Sequence, residues 1–198
     1  MENHHHFILH KPSGYLSQLV SNQRKQQKKK LLTELYDFPE GTMPVGRLDE
    51  DSEGLLLLTT DGKLSEQIRS KKVEKQYYVQ VDGEITPEAI QQLSQGVEIS
   101  IFGKKYTTLH CEAAPLNPAP EVVPPKRKRS ERHGPTSWLT VTITEGKFRQ
   151  VRKMTASVGF PTLRLIRIRI GHITLDEMPS GSVVEVDDFQ FKSKMKEF

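Results

Sequence analysis

The sequence predicts an α+β fold built on a mostly antiparallel sheet with flanking helices. Segments with strand periodicity outnumber segments with helical spacing, and strands and helices do not alternate strictly along the chain. The 198 residues, 35% of them apolar, are enough for one sizeable core. We therefore expect residues 1–198 to form a single folded domain.

Four elements are predicted in the first third of the chain. Residues 7–9 are an apolar run before a Pro/Gly turn and predict a short strand, whereas residues 31–36 carry leucines at helical spacing and predict a brief helix. The run at 55–59 is too short for a helix and too apolar for an exposed strand, so it predicts a buried central strand. After the turn signal at Asp61 and Gly62, residues 63–70 predict a helix.

Alternation and capping define the next two elements. Residues 75–81 alternate in polarity, which predicts a strand with Tyr77 on its apolar, inward side. Thr86 is an N-cap candidate with proline at the first helical position behind it. We expect that helix to run to about Gln95 and to end at Gly96.

The remaining chain alternates between regular and irregular segments. Strands are expected at 106–112, 138–144 and 183–186. Residues 114–135 are rich in proline and basic residues without periodicity, which predicts a long loop that is either functional or disordered.

A helix is expected over residues 148–158, where Val151, Met154 and Val158 would form the buried stripe. On the helical wheel Arg149 and Lys153 lie away from this stripe and would face water or a ligand. Arg152 lies at its border, so we expect it to point along the core surface into a cleft.

A strand is expected over residues 163–170. Its alternation places Arg164 on one side and Arg167 and Arg169 on the other. Arginines at alternate positions would make a flat positive surface suited to phosphates.

The distribution of basic residues indicates a polyanionic partner. The net charge is only +4, but basic residues gather at 24–30, 126–132 and 147–169, and no acidic residue lies between 146 and 170. The alternative is that each cluster is an ordinary solvated surface. No apolar run is long enough for a membrane span or a signal peptide, and Cys111 is the only cysteine. These features favour the cytoplasm.

The stretch from Gly46 to Leu58 carries a candidate site, because Asp49 follows Arg47 at the start of the predicted buried strand. One interpretation is a turn carboxylate with a structural salt bridge to Arg47. A second is half of a calcium loop, but its twelfth position would be Thr60, which cannot supply the bidentate carboxylate. A third is a glycosidase-like pair of carboxylates formed by Asp49 with Glu50, Asp51 or Glu53.

Five ordered motifs resemble those of ribosomal RNA pseudouridine synthases and span nearly the whole chain. They are KPSG at 11–14, GRLDEDSEGLL at 46–56, KQY at 75–77, RQVRKM at 149–154 and LIRI at 165–168 followed by Gly171. The resemblance implies the fold of that family, with a central catalytic cleft. It also implies isomerisation of a uridine to pseudouridine in ribosomal RNA, expected to be that of the large subunit.

The resemblance assigns roles to individual residues. Asp49 would be the catalytic aspartate, Tyr77 the aromatic residue beside the target base, and Arg152 the cation that pairs with the aspartate. A fixed cation is needed because burial alone would raise the pKa of an aspartate and neutralise it. The expected RNA-binding residues are Lys11, Arg47, Lys75, Arg149, Lys153, Arg164, Arg167 and Arg169. The plainer interpretations are a core position for Tyr77 and a surface ion pair for Arg152.

The resemblance further implies a catalytic domain that uses neither cofactor nor metal. Many relatives begin with a small S4-type RNA-binding domain, whereas this chain is expected to start at the catalytic region and to act as a monomer. The basic arm at 21–30 and the loop at 114–135 would then help to capture RNA. The rival hypothesis is an RNA-binding ribosome assembly factor that has the same scaffold but performs no chemistry.

Overall fold

The structure, a computed structural model, describes residues 4–20, 29–70, 73–121 and 134–190. Three α-helices lie in these ranges: α1 (Gly62–Ser70), α2 (Pro87–Gln95) and α3 (Gln150–Ser157). A short 3₁₀ helix covers Leu32–Glu34. The strands are β1 (His6–Lys11), β2 (Met43–Pro44), β3 (Glu53–Thr59), β4 (Lys75–Asp82), β5 (Glu98–Ile101), β6 (Lys104–Thr107), β7 (Glu112–Pro115), β8 (Thr136–Ile143), β9 (Thr162–Ile170), β10 (Ile173–Thr174) and β11 (Val183–Val186).

The strands form one large mixed sheet and a separate hairpin, which confirms the predicted α+β class. The order in the large sheet is β11-β1-β3-β9-β4-β8-β7, with β2 paired to β3 and β10 paired to β9. Its strands pair antiparallel except at the junction of β3 with β9, which is parallel. Strands β5 and β6 form the two-stranded hairpin.

Both faces of the sheet are covered at β3, which is therefore buried along its whole length. All seven residues of β3 are buried, as expected for the run of four leucines. Leu56 and Leu58 pack in one cluster with Met154 of α3, whereas Leu55 and Leu57 pack in a second cluster with Ile68 of α1. The helices on opposite faces therefore fix β3 from both sides.

Local signals in the sequence placed the second helix correctly. The Thr86 side chain accepts a hydrogen bond from the backbone N–H of Ala89, Pro87 is the first helical residue, and the helix stops before Gly96. Asp61 starts α1 in the same way, because its carboxylate accepts the backbone N–H groups of Lys63 and Leu64.

Two predictions for the middle of the chain were wrong. Residues 106–112 do not form one strand: β6 ends at Thr107, and β7 begins at Glu112. The predicted loop at 114–135 begins inside β7, where Ala114 and Pro115 pair with β8. The hairpin formed by β5 and β6 was missed. Residues 122–133 of the loop, and residues 21–28 of the predicted basic arm, lie outside the described residues.

The junction of β3 with β9 depends on Gly54. Gly54 pairs with Arg167 and has a φ of +104°, in a region that residues with a side chain rarely adopt. A Cβ atom at this position would lie 2.2 Å from the backbone oxygen of Arg167. The close approach of the two strands therefore requires glycine. None of the described helices is both long and apolar enough to cross a membrane.

We predict that Gly54→Ala lowers the free energy of unfolding by at least about 2 kcal/mol, because it adds backbone strain and a steric clash at the junction. Urea denaturation measures this difference. Gly62→Ala is the matched control, since Gly62 starts α1 with open space around its Cβ position. A Gly54→Ala protein as stable as Gly62→Ala would contradict this role.

Candidate active site

A cavity of about 360 Å³ is lined by residues of β4, β8, β9, α1 and α3 and by the segment that precedes β3. Asp49 and Tyr77 both line it, as the sequence predicted for a shared site. Four of the residues expected to bind RNA line it as well: Arg47, Lys75, Arg149 and Arg167. Arg152, the third expected catalytic residue, is not part of the lining.

The register of the sheet explains why these residues meet. Lys11 of β1 pairs with Gly54, Gly54 pairs with Arg167 of β9, and Arg167 pairs with Tyr77 of β4. This row crosses the sheet immediately after the loop at 49–52, which leads into β3. The short parallel contact thus brings the Asp49 loop next to Arg167 and Tyr77.

Lys11 of β1 binds the backbone of the loop at 49–52. Its side chain is fully buried, and Nζ donates hydrogen bonds to the backbone oxygens of Pro12 and Ser52, both at 2.9 Å. The Nζ atom also lies 3.4 Å from the backbone oxygen of Glu50. The prediction that Lys11 contacts RNA is therefore wrong, because its charged group is used inside the protein.

The polypeptide before the loop is tied to the N-terminal segment. The Ser17 hydroxyl donates to the backbone oxygen of Leu48 at 2.8 Å and accepts its N–H at 3.0 Å. The backbone N–H of Gly14 donates to the oxygen of Glu50 at 2.7 Å. These bonds place both neighbours of Asp49 on the rigid body of the protein.

Two arginines bind the loop from the side of α3. Arg149 makes two hydrogen bonds, of 2.9 and 3.0 Å, to the two carboxylate oxygens of Asp51. Arg152 Nη2 donates to the backbone oxygen of Asp51 at 3.0 Å and to the hydroxyl of Ser52 at 3.1 Å. Both side chains therefore position the loop through residues that follow Asp49.

The expected pair between Asp49 and Arg152 is not the contact found in the structure. The cation beside Asp49 is Arg149, with Nη1 at 3.6 Å from Oδ2, whereas the nearest carboxylate oxygen to Arg152 is Oδ2 of Asp51 at 3.5 Å. Arg149 had been expected to face water or a ligand. It precedes the first turn of α3 in a left-handed conformation, with φ of 52°, so the helical wheel did not describe its direction. The salt bridge between Asp49 and Arg47 also does not form between the described residues.

The pKa values of the two aspartates of the loop are shifted in opposite directions. Burial raises the pKa of Asp49, with the charge of Arg149 opposing and that of Asp51 reinforcing the rise. Burial would also raise the pKa of Asp51, but the hydrogen bond from Arg149 and the charge of Arg152 bring it below its ordinary value. Asp51 thus contacts Arg152, the cation expected beside Asp49, and Arg149 as well.

Asp49 is a carboxylate of the cavity whose oxygens remain open to a ligand. These oxygens accept no hydrogen bond from any described residue, and the closest cation is at 3.6 Å. Glu145 is a second carboxylate in the lining, but it accepts hydrogen bonds from the Tyr106 hydroxyl, the Leu109 backbone N–H at 2.9 Å and the Gln150 amide at 2.6 Å. Glu145 therefore has a structural role, which sequence reasoning missed.

Arg167, a residue of the cavity lining, has one buried donor group that is not used by the described part of the protein. Its Nε donates to the backbone oxygen of Leu55 at 2.8 Å, whereas its buried Nη2 has no hydrogen-bond partner among the described residues. An unpaired buried donor costs roughly 1–3 kcal/mol. Lys75 lies in the same lining, and burial together with the charge of Arg167 lowers its pKa. Both cations belong to the cavity wall, where Lys75 Nζ donates to the backbone oxygen of Val73 at 2.8 Å.

The other carboxylates near Asp49 are engaged in ion pairs. Glu50 pairs with Lys29 at 2.7 Å, and Glu53 forms a buried pair with Arg164 through bonds of 2.9 and 3.0 Å. With Asp51 bound to Arg149, none of the three is available as the acid partner of a glycosidase-like pair. The described residues also contain no group of three His, Cys, Asp or Glu side chains placed to hold a metal.

The strand at β9 does not form the predicted flat positive surface. Arg167 is buried in the cavity wall, and Arg164 is paired with Glu53. Arg169 donates to Glu74 at 3.0 Å and to the backbone oxygen of Gly171 at 2.7 Å. Lys153 donates to the backbone oxygen of Ser100 at 2.6 Å, which ties α3 to β5. The arginine side chains of β9 thus bind other groups of the protein and do not form an exposed positive face.

Comparisons with known proteins found similar sequences and a similar structure. A family model described as RNA pseudouridylate synthase matches residues 5–157. The chain is 43% identical over 176 residues to a ribosomal large subunit pseudouridine synthase E of Xanthomonas axonopodis pv. citri, covering 86% of this chain and 88% of that protein. A protein of the same name from Vibrio parahaemolyticus is 39% identical over 191 residues, covering 94% and 75%. A crystal structure of a pseudouridylate synthase superposes with a TM-score of 0.74 at 26% identity, covering 94% of this chain and 71% of that chain.

The opposite pKa shifts of the two loop aspartates predict opposite effects on stability. The raised pKa of Asp49 means that its ionisation destabilises the folded state, so Asp49→Asn should increase the free energy of unfolding at pH 7. The increase should disappear as the pH falls through the raised pKa towards the ordinary value of 3.8.

Asp51→Asn is the matched comparison and should decrease stability at pH 7, because the lowered pKa of Asp51 reports a stabilising charge. That contribution is present above the ordinary value of 3.8 and is lost as the pH falls through the lowered pKa. Thermal unfolding from pH 3 to 8 measures both differences. Equal destabilisation by the two substitutions at pH 7 would contradict the opposite effects of the Asp49 and Asp51 charges on stability.

Proposed function

The chain belongs to the RNA pseudouridylate synthase family, and on that premise we propose that Asp49 is the catalytic carboxylate that acts on a uridine of large-subunit ribosomal RNA. The single observation that carries the assignment is the position of Asp49: it is half-buried in the cavity that Tyr77 also lines, and its carboxylate accepts no hydrogen bond from the described residues. The names of the two relatives support ribosomal RNA of the large subunit as the substrate.

The reaction is an isomerisation, so no atoms are gained or lost. The bond between C1′ of the ribose and N1 of uracil breaks, the base rotates, and a new bond forms between C1′ and C5. The proton on C5 is then lost, and N1 ends with a proton. Asp49 acts on the sugar either as a nucleophile at C1′ or as a base toward a sugar proton, and both roles require its ionised form.

Tyr77 supplies the surface against which the base lies. Its side chain is 7% exposed, on the inward side of β4, in the row that includes Arg167. Stacking of a base on an aromatic ring contributes about 1–3 kcal/mol. A base held by its flat face can rotate about an axis through the ring without losing that contact. We also propose that Tyr77 assists removal of the C5 proton.

Arg167 and Lys75 are proposed to orient the base. Uracil has two carbonyl oxygens that accept hydrogen bonds, and the unpaired Nη2 of Arg167 is a buried donor in the wall of the cavity. Satisfying it with a uracil oxygen would recover the cost of leaving it unpaired. Arg149 and Arg152 are positioning residues in this scheme, because they hold the loop through Asp51 and Ser52.

The target nucleotide must leave the base stack to enter the cavity. Arg47 is exposed and belongs to the lining, which supports our proposal that it contacts the phosphate beside the flipped nucleotide. The basic arm at 21–30 and the Pro-rich basic segment that follows β7, up to residue 135, are proposed to hold the surrounding RNA. We further propose that residues 1–198 act as one catalytic domain, as a monomer, in the cytoplasm.

We predict that Asp49→Asn abolishes pseudouridine formation, because the amide can neither attack the sugar nor accept its proton. Large-subunit ribosomal RNA that lacks the modification is incubated with each protein, and pseudouridine is detected by mass spectrometry. RNA affinity should be retained, since the amide is nearly the same size as the carboxylate that it replaces.

Glu50→Gln is the control for this experiment. Glu50 neighbours Asp49 but pairs with Lys29 and does not line the cavity, so its substitution should leave turnover within about threefold. Pseudouridine formation by Asp49→Asn at the wild-type rate would overturn the assignment. Tight RNA binding by the wild type without any product would instead favour an assembly factor.

The raised pKa of Asp49 predicts a loss of single-turnover rate on the acid side of neutrality. Because the ionised carboxylate is the active form, the rate should fall about tenfold per pH unit below its folded pKa. The midpoint should lie above 3.8, the ordinary value for an aspartate. A rate independent of pH down to that value would show that ionisation of Asp49 is not required.

A further inference from the structure

An exposed phenylalanine occupies the tip of the hairpin formed by β5 and β6. The strands pair up to Ile101 and Lys104, so Phe102 and Gly103 form a two-residue turn. Both have positive φ, 49° for Phe102 and 80° for Gly103. Turns of this kind favour Asn-Gly, since a bulky residue at positive φ is strained. Phe102 is nevertheless 81% exposed, so its side chain gains little from burial.

Phe102 stacks on a second exposed phenylalanine at the rim of the cavity. The ring of Phe148 lies 5.2 Å from that of Phe102, at an interplanar angle of 18°. Phe148 is 51% exposed and stands between Lys147 and Arg149, both of which line the cavity. The aromatic pair therefore continues the surface of the site outward.

Basic groups surround this pair. Lys153 Nζ lies 5.0 Å from the centre of the Phe148 ring, and Lys147 Nζ lies 5.0 Å from the centre of the nearby Tyr106 ring. Lys104 and Lys105 follow directly in β6 and are exposed, and Lys105 pairs with Glu98 of β5 at 2.9 Å. Aromatic faces set among cationic side chains are the surface on which single-stranded nucleic acid binds, through base stacking and phosphate contacts.

We propose that the Phe102–Phe148 pair binds an unpaired base of the RNA strand that carries the target uridine. This inference rests on the proposed function, because continuity with the cavity is what places an RNA strand here. The base would stack on the exposed face of the pair while the target nucleotide occupies the cavity. The strain and exposure of Phe102 are costs to folding that such a contact offsets.

The surrounding charge argues against an apolar partner. A hydrophobic protein surface would have to desolvate the neighbouring lysines, which is costly, whereas a nucleic-acid strand offers both aromatic bases and phosphates. Of these two ligands, only the nucleic-acid strand can contact both the lysines and the aromatic rings favourably. A second copy of the chain, itself basic in this region, would bring like charges together.

The test compares Phe102→Asn with the parent in binding a fluorescein-labelled oligouridylate of about twelve nucleotides, measured by anisotropy. Both proteins carry Asp49→Asn, so no turnover occurs. We expect about tenfold weaker binding, in line with the loss of one stacked base, and an unchanged dependence of affinity on salt, since no phosphate contact is removed. The melting temperature should not fall, because Asn-Gly suits the turn. Phe102→Trp should retain the affinity.

Two controls isolate stacking. Val184→Asn replaces another exposed apolar side chain, on the edge strand β11, and should leave binding unchanged. Binding of a blunt RNA duplex of similar length should be the same with Phe102→Asn as with the parent, because its bases are stacked internally.

Affinity of Phe102→Asn for the oligouridylate within about twofold of the parent would overturn the proposal, as would equal weakening toward the duplex. Sedimentation that showed loss of a dimer with unchanged RNA binding would make the pair a self-association surface and also overturn it. These outcomes are separate from the proposed catalysis, since binding is measured without turnover and activity of Asp49→Asn is measured without reference to Phe102.

Discussion

The parallel contact of β3 with β9 is the constraint on which the site depends. The rest of the large sheet pairs antiparallel, and at this junction Gly54 lies against the backbone of Arg167. The pairing fixes where β3 begins, and so where the loop at 49–52 leaves the sheet. It also sets Arg167 between Gly54 and Tyr77, in one row. A cavity forms there because the loop, the row and α3 meet at the end of the short contact.

Three cationic side chains fix the conformation of the loop at 49–52. Lys11, Arg149 and Arg152 hold the loop through the carboxylate of Asp51 and through backbone oxygens. This arrangement keeps the backbone around Asp49 fixed while leaving its carboxylate without hydrogen bonds from the described residues. Burial then raises the pKa of Asp49. A half-buried carboxylate whose loop is rigid but whose oxygens are open is suited to act on a substrate rather than to stabilise the fold.

Much of the fold was predictable because local physics decides it. Thr86, Pro87 and Gly96 define α2 through capping and backbone preferences, and the four leucines of β3 require burial on both faces. The grouping of Asp49 with Tyr77 came from the order of the motifs. The strands that pair next to these residues are distant in the chain, so local sequence patterns do not predict the pairing.

The errors share a physical cause. Strict alternation placed Arg167 and Arg169 on one side of β9, but the register shifts between Gln76 and Tyr77, so that Arg169 pairs with Gln76 and Arg167 with Tyr77. Alternation also could not show that Arg164 pairs with Glu53 of β3. Lys11 and Arg167 were predicted to be surface cations although the fold buries both. Arg149 was placed on a helical wheel, yet it adopts a left-handed conformation just before α3 and turns toward the Asp49 loop. Hairpin β5–β6 lacks the Asn-Gly signal because Phe102 occupies that position.

The most direct test of the central claim is a crystal structure of the protein bound to substrate RNA with 5-fluorouridine at the target position. Fluorine at C5 cannot leave as a proton does, so the reaction cannot finish and the nucleotide is held in the site. We expect the flipped nucleotide in the cavity, with its C1′ or C2′ within about 3.5 Å of the Asp49 carboxylate and its base against Tyr77. A nucleotide bound elsewhere, or one whose sugar faces away from Asp49, would contradict it.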